Sequence, residues 1–181
     1  MFLLPIVRGF LYIWLWLFAA VLLGLTATRI HYTTHLPPGD PLNQGRKFYD
    51  PIVAELMASA ALALIWAPLV GLMIHGRREY RYFSLVWHEI LGLFILWVLW
   101  LVGAAIATHI WPNLPSFCPQ FEACRVLTAM LAFAWMGWIV LTFLLAATFM
   151  YAVANRSWRE PAHGHWVRNT NPRASEYSTR Y

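Results

Sequence analysis

Residues 83–108 of this chain read FSLVWHEILGLFILWVLWLVGAAIAT. Past His88 and Glu89, near its start, the run contains no ionisable side chain. A helix needs about 20 apolar residues to cross about 30 Å of hydrocarbon. A segment inside lipid must also satisfy its own backbone hydrogen bonds, which a helix does. The stretch therefore predicts a membrane-spanning helix.

Three more runs of this kind predict three more spans, over residues 9–28, 52–74 and 125–154. The composition agrees, since 60% of the residues are hydrophobic, only 12% are charged and the mean hydropathy is +0.54. A soluble domain would be about a quarter charged. We predict an all-α fold, an integral membrane four-helix transmembrane bundle. It forms one domain over 1–155, and residues 156–181 form a basic tail that we expect to be disordered.

The distribution of cations predicts the orientation. With the amino terminus inside, the inner segments hold nine of the 13 lysines and arginines and the outer segments four. Cytoplasmic loops carry such an excess, so both termini are predicted to be cytoplasmic. The membrane is predicted to be the plasma membrane or a membrane of the secretory pathway. A signal peptide over the first run is the alternative. Five inner arginines are predicted to contact anionic lipid: Arg77, Arg78, Arg81, Arg156 and Arg159.

Both cysteines, Cys118 and Cys124, fall in the loop between the third and fourth runs. In this orientation the loop lies on the non-cytoplasmic side, where disulfides persist. We predict a disulfide between them; the alternative is that both thiols stay reduced. No further cysteine or paired histidine accompanies them, so we expect no zinc site.

Small side chains recur every four residues on the second run and more briefly on the third. Such strips let neighbouring helices approach closely. The positions predicted to pack in this way are Ser59, Ala63, Ala67, Gly71, Gly103 and Ala107. The deeper tryptophans are also expected to pack between helices, with an aromatic-lined groove as the alternative: Trp97, Trp100, Trp135 and Trp138.

Ionisable side chains within the runs are costly unless they are paired. Glu55 shares a helix face with Ser59, so it should point into the bundle and pair with Arg29 or Arg125. On the third run, His88 and Glu89 should pair with the arginines of the preceding loop, Arg78 and Arg81.

Two other functions remain open at this point. His75 with His88, and His31 or His35 with His109, could ligate two haems for transmembrane electron transfer. A small transporter or its accessory subunit would instead need water to reach Glu55. We find no phosphate loop, nucleophile elbow or metalloprotease motif, and no basic stripe for nucleic acid. The sequence thus favours a protein that is not an enzyme and that binds no cofactor or metal.

One stretch carries a resemblance to a known family. Residues 118–149 read CPQFEACRVLTAMLAFAWMGWIVLTFLLAATF, and the third run has His88, Glu89 and Gly92 at its start. Over residues 5–155 the chain resembles the MARVEL domain family, especially its fungal members. The resemblance implies a non-enzymatic protein that organises membrane domains or vesicle trafficking through lipid and helix contacts. Implied partners are membrane lipids, sterol-rich ones among them, further copies of the chain or other membrane proteins.

Overall fold

A computed structural model describes residues 3–36, 46–76, 86–112 and 122–155, and within these ranges the regular structure is entirely α-helical. Four helices cover them: α1 (Leu3–Thr34), α2 (Pro51–Gly76), α3 (Val86–Ile110) and α4 (Glu122–Asn155). Each contains a segment long and apolar enough to cross a membrane. The predicted four-helix membrane fold is confirmed.

α1 is longer than the run that predicted it. It begins at Leu3 and ends at Thr34, six residues beyond the predicted span 9–28 on either side. Arg8 and Arg29 directly flank the predicted span 9–28, yet both lie inside the helix and are buried. Several other predicted positions, Cys118, the five arginines assigned to lipid and the tail 156–181, lie outside the described residues.

The helices alternate in direction around the bundle. Arg29 near the end of α1 meets Asp50 at the start of α2. Trp97 of α3 bonds Thr142 of α4, and Phe18 of α1 packs on a ring of α4, which closes the circle. Each helix thus packs against the next in the chain, and α4 against α1, as short connections favour. We call the two ends of the bundle the Arg8 end and the Arg29 end.

The buried residues of α1 follow a regular spacing of three and four positions. They are Arg8, Tyr12, Leu15, Ala19, Leu22, Thr26, Arg29 and Thr33. This is the heptad spacing of helices that pack side by side over their whole length. The outer face of α1 is equally apolar, with Phe10, Ile13 and Leu17 exposed. The buried stripe is therefore marked by spacing and not by hydrophobicity.

Only part of the predicted small-residue strip on α2 packs in the interior of the bundle. Ser59, Ala63 and Ala67 are buried in the interior. A Cβ built at Gly71 would meet no described atom within 4 Å, so the prediction of close packing there is wrong. Gly103 on α3 does permit close approach, because a Cβ there would overlap side chains of α2. Ala107 is also buried.

Ala67→Leu is expected to destabilise the bundle by about 1–3 kcal/mol, since a larger side chain at a filled position forces its neighbours apart. Thermal unfolding in detergent measures the change. Ala58→Leu is the matched control, because Ala58 lies on the exposed side of the same helix. Equal stability of the two variants would contradict a packing role for the strip.

Candidate functional site

A buried ion pair joins α1 to α3 at the Arg8 end. Arg8 Nη2 donates to both carboxylate oxygens of Glu89, at 2.7 Å from Oε1 and 2.5 Å from Oε2. The two side chains are only 1% and 4% exposed. Because α1 and α3 are diagonal neighbours in the bundle, this pair crosses its interior.

Three further side chains complete this Arg8 cluster. Tyr12 donates its hydroxyl to Glu89 Oε1 at 2.7 Å, and Thr148 of α4 donates to the same oxygen at 3.4 Å. The guanidinium of Arg8 lies over the ring of Tyr151, 4.9 Å from its centroid. A buried ion pair repays its desolvation only when extra hydrogen bonds satisfy it. The cluster supplies them from α1 and α4, so it fixes how α1, α3 and α4 dock.

The cluster corrects the prediction for Glu89. Glu89 pairs with Arg8, not with Arg78 or Arg81, which lie outside the described residues. Sequence reasoning missed Arg8 because this residue lies just before the predicted span 9–28, where cations are usually exposed. The available signal was its spacing: a cation and a tyrosine four residues apart belong to one helix face.

A second ion pair lies at the Arg29 end. Arg29 Nη2 is 3.4 Å from Asp50 Oδ2, and its guanidinium lies 5.9 Å from the ring centroid of Phe48. The N–H of Phe48 donates to the carbonyl of Thr33 at 3.2 Å. Arg8 and Arg29 are 21 residues apart, about 31 Å along a helix. That distance is close to the thickness of the hydrocarbon layer of a bilayer.

The predicted pairing of Glu55 with Arg29 or Arg125 is wrong. Arg29 pairs with Asp50, and Arg125 lies exposed on α4. Glu55 Oε1 accepts instead from Ser59 Oγ at 2.9 Å, within α2. Asp50 is the partner of Arg29 because the segment before α2 folds back onto the end of α1. The sequence did not indicate this fold.

Tryptophans fill the seam between α3 and α4. Trp100 is fully buried and occupies the space left by Gly137, where a Cβ would overlap its ring. Its Nε1 lies 3.4 Å from the carbonyl of Ser59, which it donates to. Two further indole N–H groups donate to threonine hydroxyls across the same seam, Trp97 to Thr142 at 2.9 Å and Trp135 to Thr108 at 3.0 Å. These rings therefore join helices, as predicted.

The histidines lie at the helix ends. His31 on the last turn of α1 and His35 just after its end stack with their ring centroids 4.6 Å apart and are exposed, as is His109 at the end of α3. α1 and α3 lie diagonally opposite each other in the bundle. A haem held between His31 or His35 and His109 would therefore lie beyond the helix ends and not inside the bundle. Among the described ranges, no group of three or more His, Cys, Asp or Glu side chains could hold a metal ion.

Acidic side chains make three described contacts at or within the spans: the Arg8 cluster, the Arg29–Asp50 pair and the Glu55–Ser59 pair. The first two neutralise their own charges internally. The Glu55 carboxyl group has no cationic partner among the described residues, and this distinguishes it from the other two acidic side chains. Compared with models of protein families, with curated proteins and with solved structures, the chain matches none.

Proposed function

We propose that this is a non-enzymatic multi-pass membrane protein that organises membrane domains or vesicle membranes through lipid and helix contacts. The observation that carries the proposal is that charged side chains are paired inside the bundle while its outer surface is apolar. Buried arginines are neutralised inside the bundle, while the outer faces of the described helices present large apolar side chains. Such a protein offers lipid-facing surface as its main means of interaction.

The filled interior supports this function over transport. At mid-depth the buried positions are taken by apolar side chains such as Ala19, Ala63, Leu96 and Trp100. Transporters and proton relays place ionisable groups at this depth, around a site that water can enter. In the described helices the buried ion pairs lie at the ends instead.

The orientation is part of the proposal. Arg8 and Arg29 are buried in ion pairs, so they are weaker topological signals than exposed cations. Without them the inner segments keep eight cations and the outer segments three. Both termini are thus proposed to be cytoplasmic. The proposed disulfide between Cys118 and Cys124 would then lie on the opposite, oxidising side.

Reconstitution tests the proposed function. Purified protein labelled at its carboxyl terminus is placed in giant vesicles that separate into sterol-rich ordered and disordered phases. We expect it to concentrate in one phase and to change the area of that phase. Lipid mass spectrometry of the protein purified in mild detergent should find one enriched lipid class.

An absorption spectrum of the same sample tests the electron-transfer alternative. The proposal expects a colourless protein. A Soret band that His88→Ala or His75→Ala abolishes would overturn the proposal and assign haem to the histidine pairs. Equal distribution between the phases, with no enriched lipid, would also contradict it.

A further inference from the structure

Two histidines form a stacked pair at the end of α1. The rings of His31 and His35 have their centroids 4.6 Å apart, and their planes are 17° from parallel. The backbone N–H of His35 still donates to the carbonyl of His31 at 3.1 Å, as in an α-helical turn. Residues four positions apart in such a turn share one face of the helix. Both side chains are exposed, so an ion in solution can reach both rings.

A hydrogen bond to the backbone orients the ring of His35. Its Nδ1 lies 3.1 Å from the carbonyl oxygen of His31 and 3.0 Å from Thr34 Oγ1. The carbonyl can only accept, and the Thr34 hydroxyl donates its own hydrogen to the carbonyl of Ile30 at 2.7 Å. In the neutral ring the hydrogen therefore belongs to Nδ1, and Nε2 keeps the lone pair. Histidines that bind metals are held in this way, with the other ring N–H bonded to a carbonyl or a carboxylate.

His31 offers the second ligand. Among the described residues, its ring contacts His35 by stacking, and no group bonds its ring nitrogens. Two nitrogens on one tetrahedral zinc ion lie about 3.3 Å apart, since each Zn–N bond is about 2.0–2.1 Å long. The two stacked rings need to approach by only about 1 Å at one edge to reach this separation. Exposed side chains make such movements readily. A square-planar ion would need the nitrogens closer still.

The donor atoms select the metal. Imidazole nitrogens suit zinc, whereas Mg²⁺ and Ca²⁺ take oxygen ligands. In the ranges that the structure describes, no third His, Cys, Asp or Glu side chain joins the pair. Asp50, at the same end of the bundle, is paired with Arg29. Water would therefore fill the remaining positions on the ion, as it does at zinc sites with fewer than four protein ligands.

We propose that His31 and His35 bind one zinc ion at the Arg29 end of the bundle, with water completing its coordination. This site goes beyond the proposed membrane-organising function, and it replaces the sequence-based expectation that the chain binds no metal. In the proposed orientation the Arg29 end faces the non-cytoplasmic side, so the zinc would come from there. The ion would join the last turn of α1 to the residue that follows it and would hold that end of the helix.

Zinc titration of the full-length chain tests the site. The protein carries no polyhistidine tag and is dialysed to equilibrium against Zn²⁺ in mild detergent, and elemental mass spectrometry counts the bound metal. The background carries His163→Ala and His165→Ala, because the H-x-H spacing in the tail is a second candidate. We expect one zinc ion per chain in this background. A large excess of Mg²⁺ should not displace it.

Three single variants in that background assign the ligands. His31→Ala and His35→Ala should each raise the dissociation constant for zinc about tenfold or more, because losing even an outer partner of a ligand weakens binding 10–100-fold. His109→Ala is the matched control, since His109 is exposed at the same end of the bundle but on α3. It should leave the dissociation constant unchanged. The unfolding temperature of each variant without zinc verifies that it is folded.

Hydrogen exchange locates the ion. Zinc should slow the exchange of backbone amides at the end of α1, the N–H of His35 among them, and should not do so in His31→Ala. Absence of bound zinc in the background, or binding only at millimolar concentration and above, overturns the site. So does binding that neither His31→Ala nor His35→Ala weakens. A loss in His109→Ala as large as in His31→Ala would contradict a site made by two histidines of α1.

Discussion

Glu89→Leu is expected to lower the free energy of unfolding by about 3–5 kcal/mol, because it leaves the Arg8 guanidinium buried without its counter-ion. Arg8 is 1% exposed and has no other acidic partner among the described residues. Tyr12 and Thr148 would also lose the oxygen to which they donate. Thermal or denaturant unfolding of the protein in detergent measures the loss.

The double variant Arg8→Leu/Glu89→Leu distinguishes a buried charge from a general loss of packing. Replacing both partners removes the unpaired charge, so this variant should recover much of the lost stability. Lys47→Leu removes an exposed cation and should change stability by less than about 0.5 kcal/mol. A double variant that is no more stable than Glu89→Leu would show that the ion pair does not set the effect.

Trp100→Ala is expected to cost about 3–5 kcal/mol, as removal of a fully buried aromatic side chain leaves a cavity. Trp100 is 0% exposed, and its ring fills the space at Gly137 on α4. It also bonds the backbone of α2 at Ser59, so one side chain joins three helices. Unfolding in detergent again gives the change. Trp16→Ala is the control, because Trp16 is 44% exposed on α1 and should matter much less.

The complementary change at Gly137 tests the fit from the other side. Gly137→Ala places a methyl group where the Trp100 ring lies, so it should destabilise by about 1–3 kcal/mol. Trp100→Leu in the same chain opens that space, and the two changes together should cost less than their sum. Strict additivity would contradict direct contact between these positions.

The candidate site shows where sequence reasoning stopped. It identified Glu55 and Ser59 as polar groups on a face that should point into the bundle, and the structure buries Ser59 there. It expected Glu89 to pair with loop arginines, whereas the structure buries Glu89 in the interior. It assigned the wrong partners to Glu55 and Glu89. The correct partners, Ser59 within α2 and Arg8 on α1, depend on which helix faces meet. Residues 80 or more apart in the chain, such as Arg8 and Glu89, carry no local signal of their contact.

The sequence by itself determined the number of spans, their approximate positions and their helical structure. The physical reason is that lipid admits only long apolar segments whose backbone hydrogen bonds are internal. Only the tertiary structure decided which face of each helix is buried. In water the apolar face turns inward, but in lipid the outer face is apolar too, so Phe10 and Leu15 on α1 look alike in sequence. Their separation into exposed and buried, and with it the pairing of Arg8 with Glu89, follows from how four helices fit together.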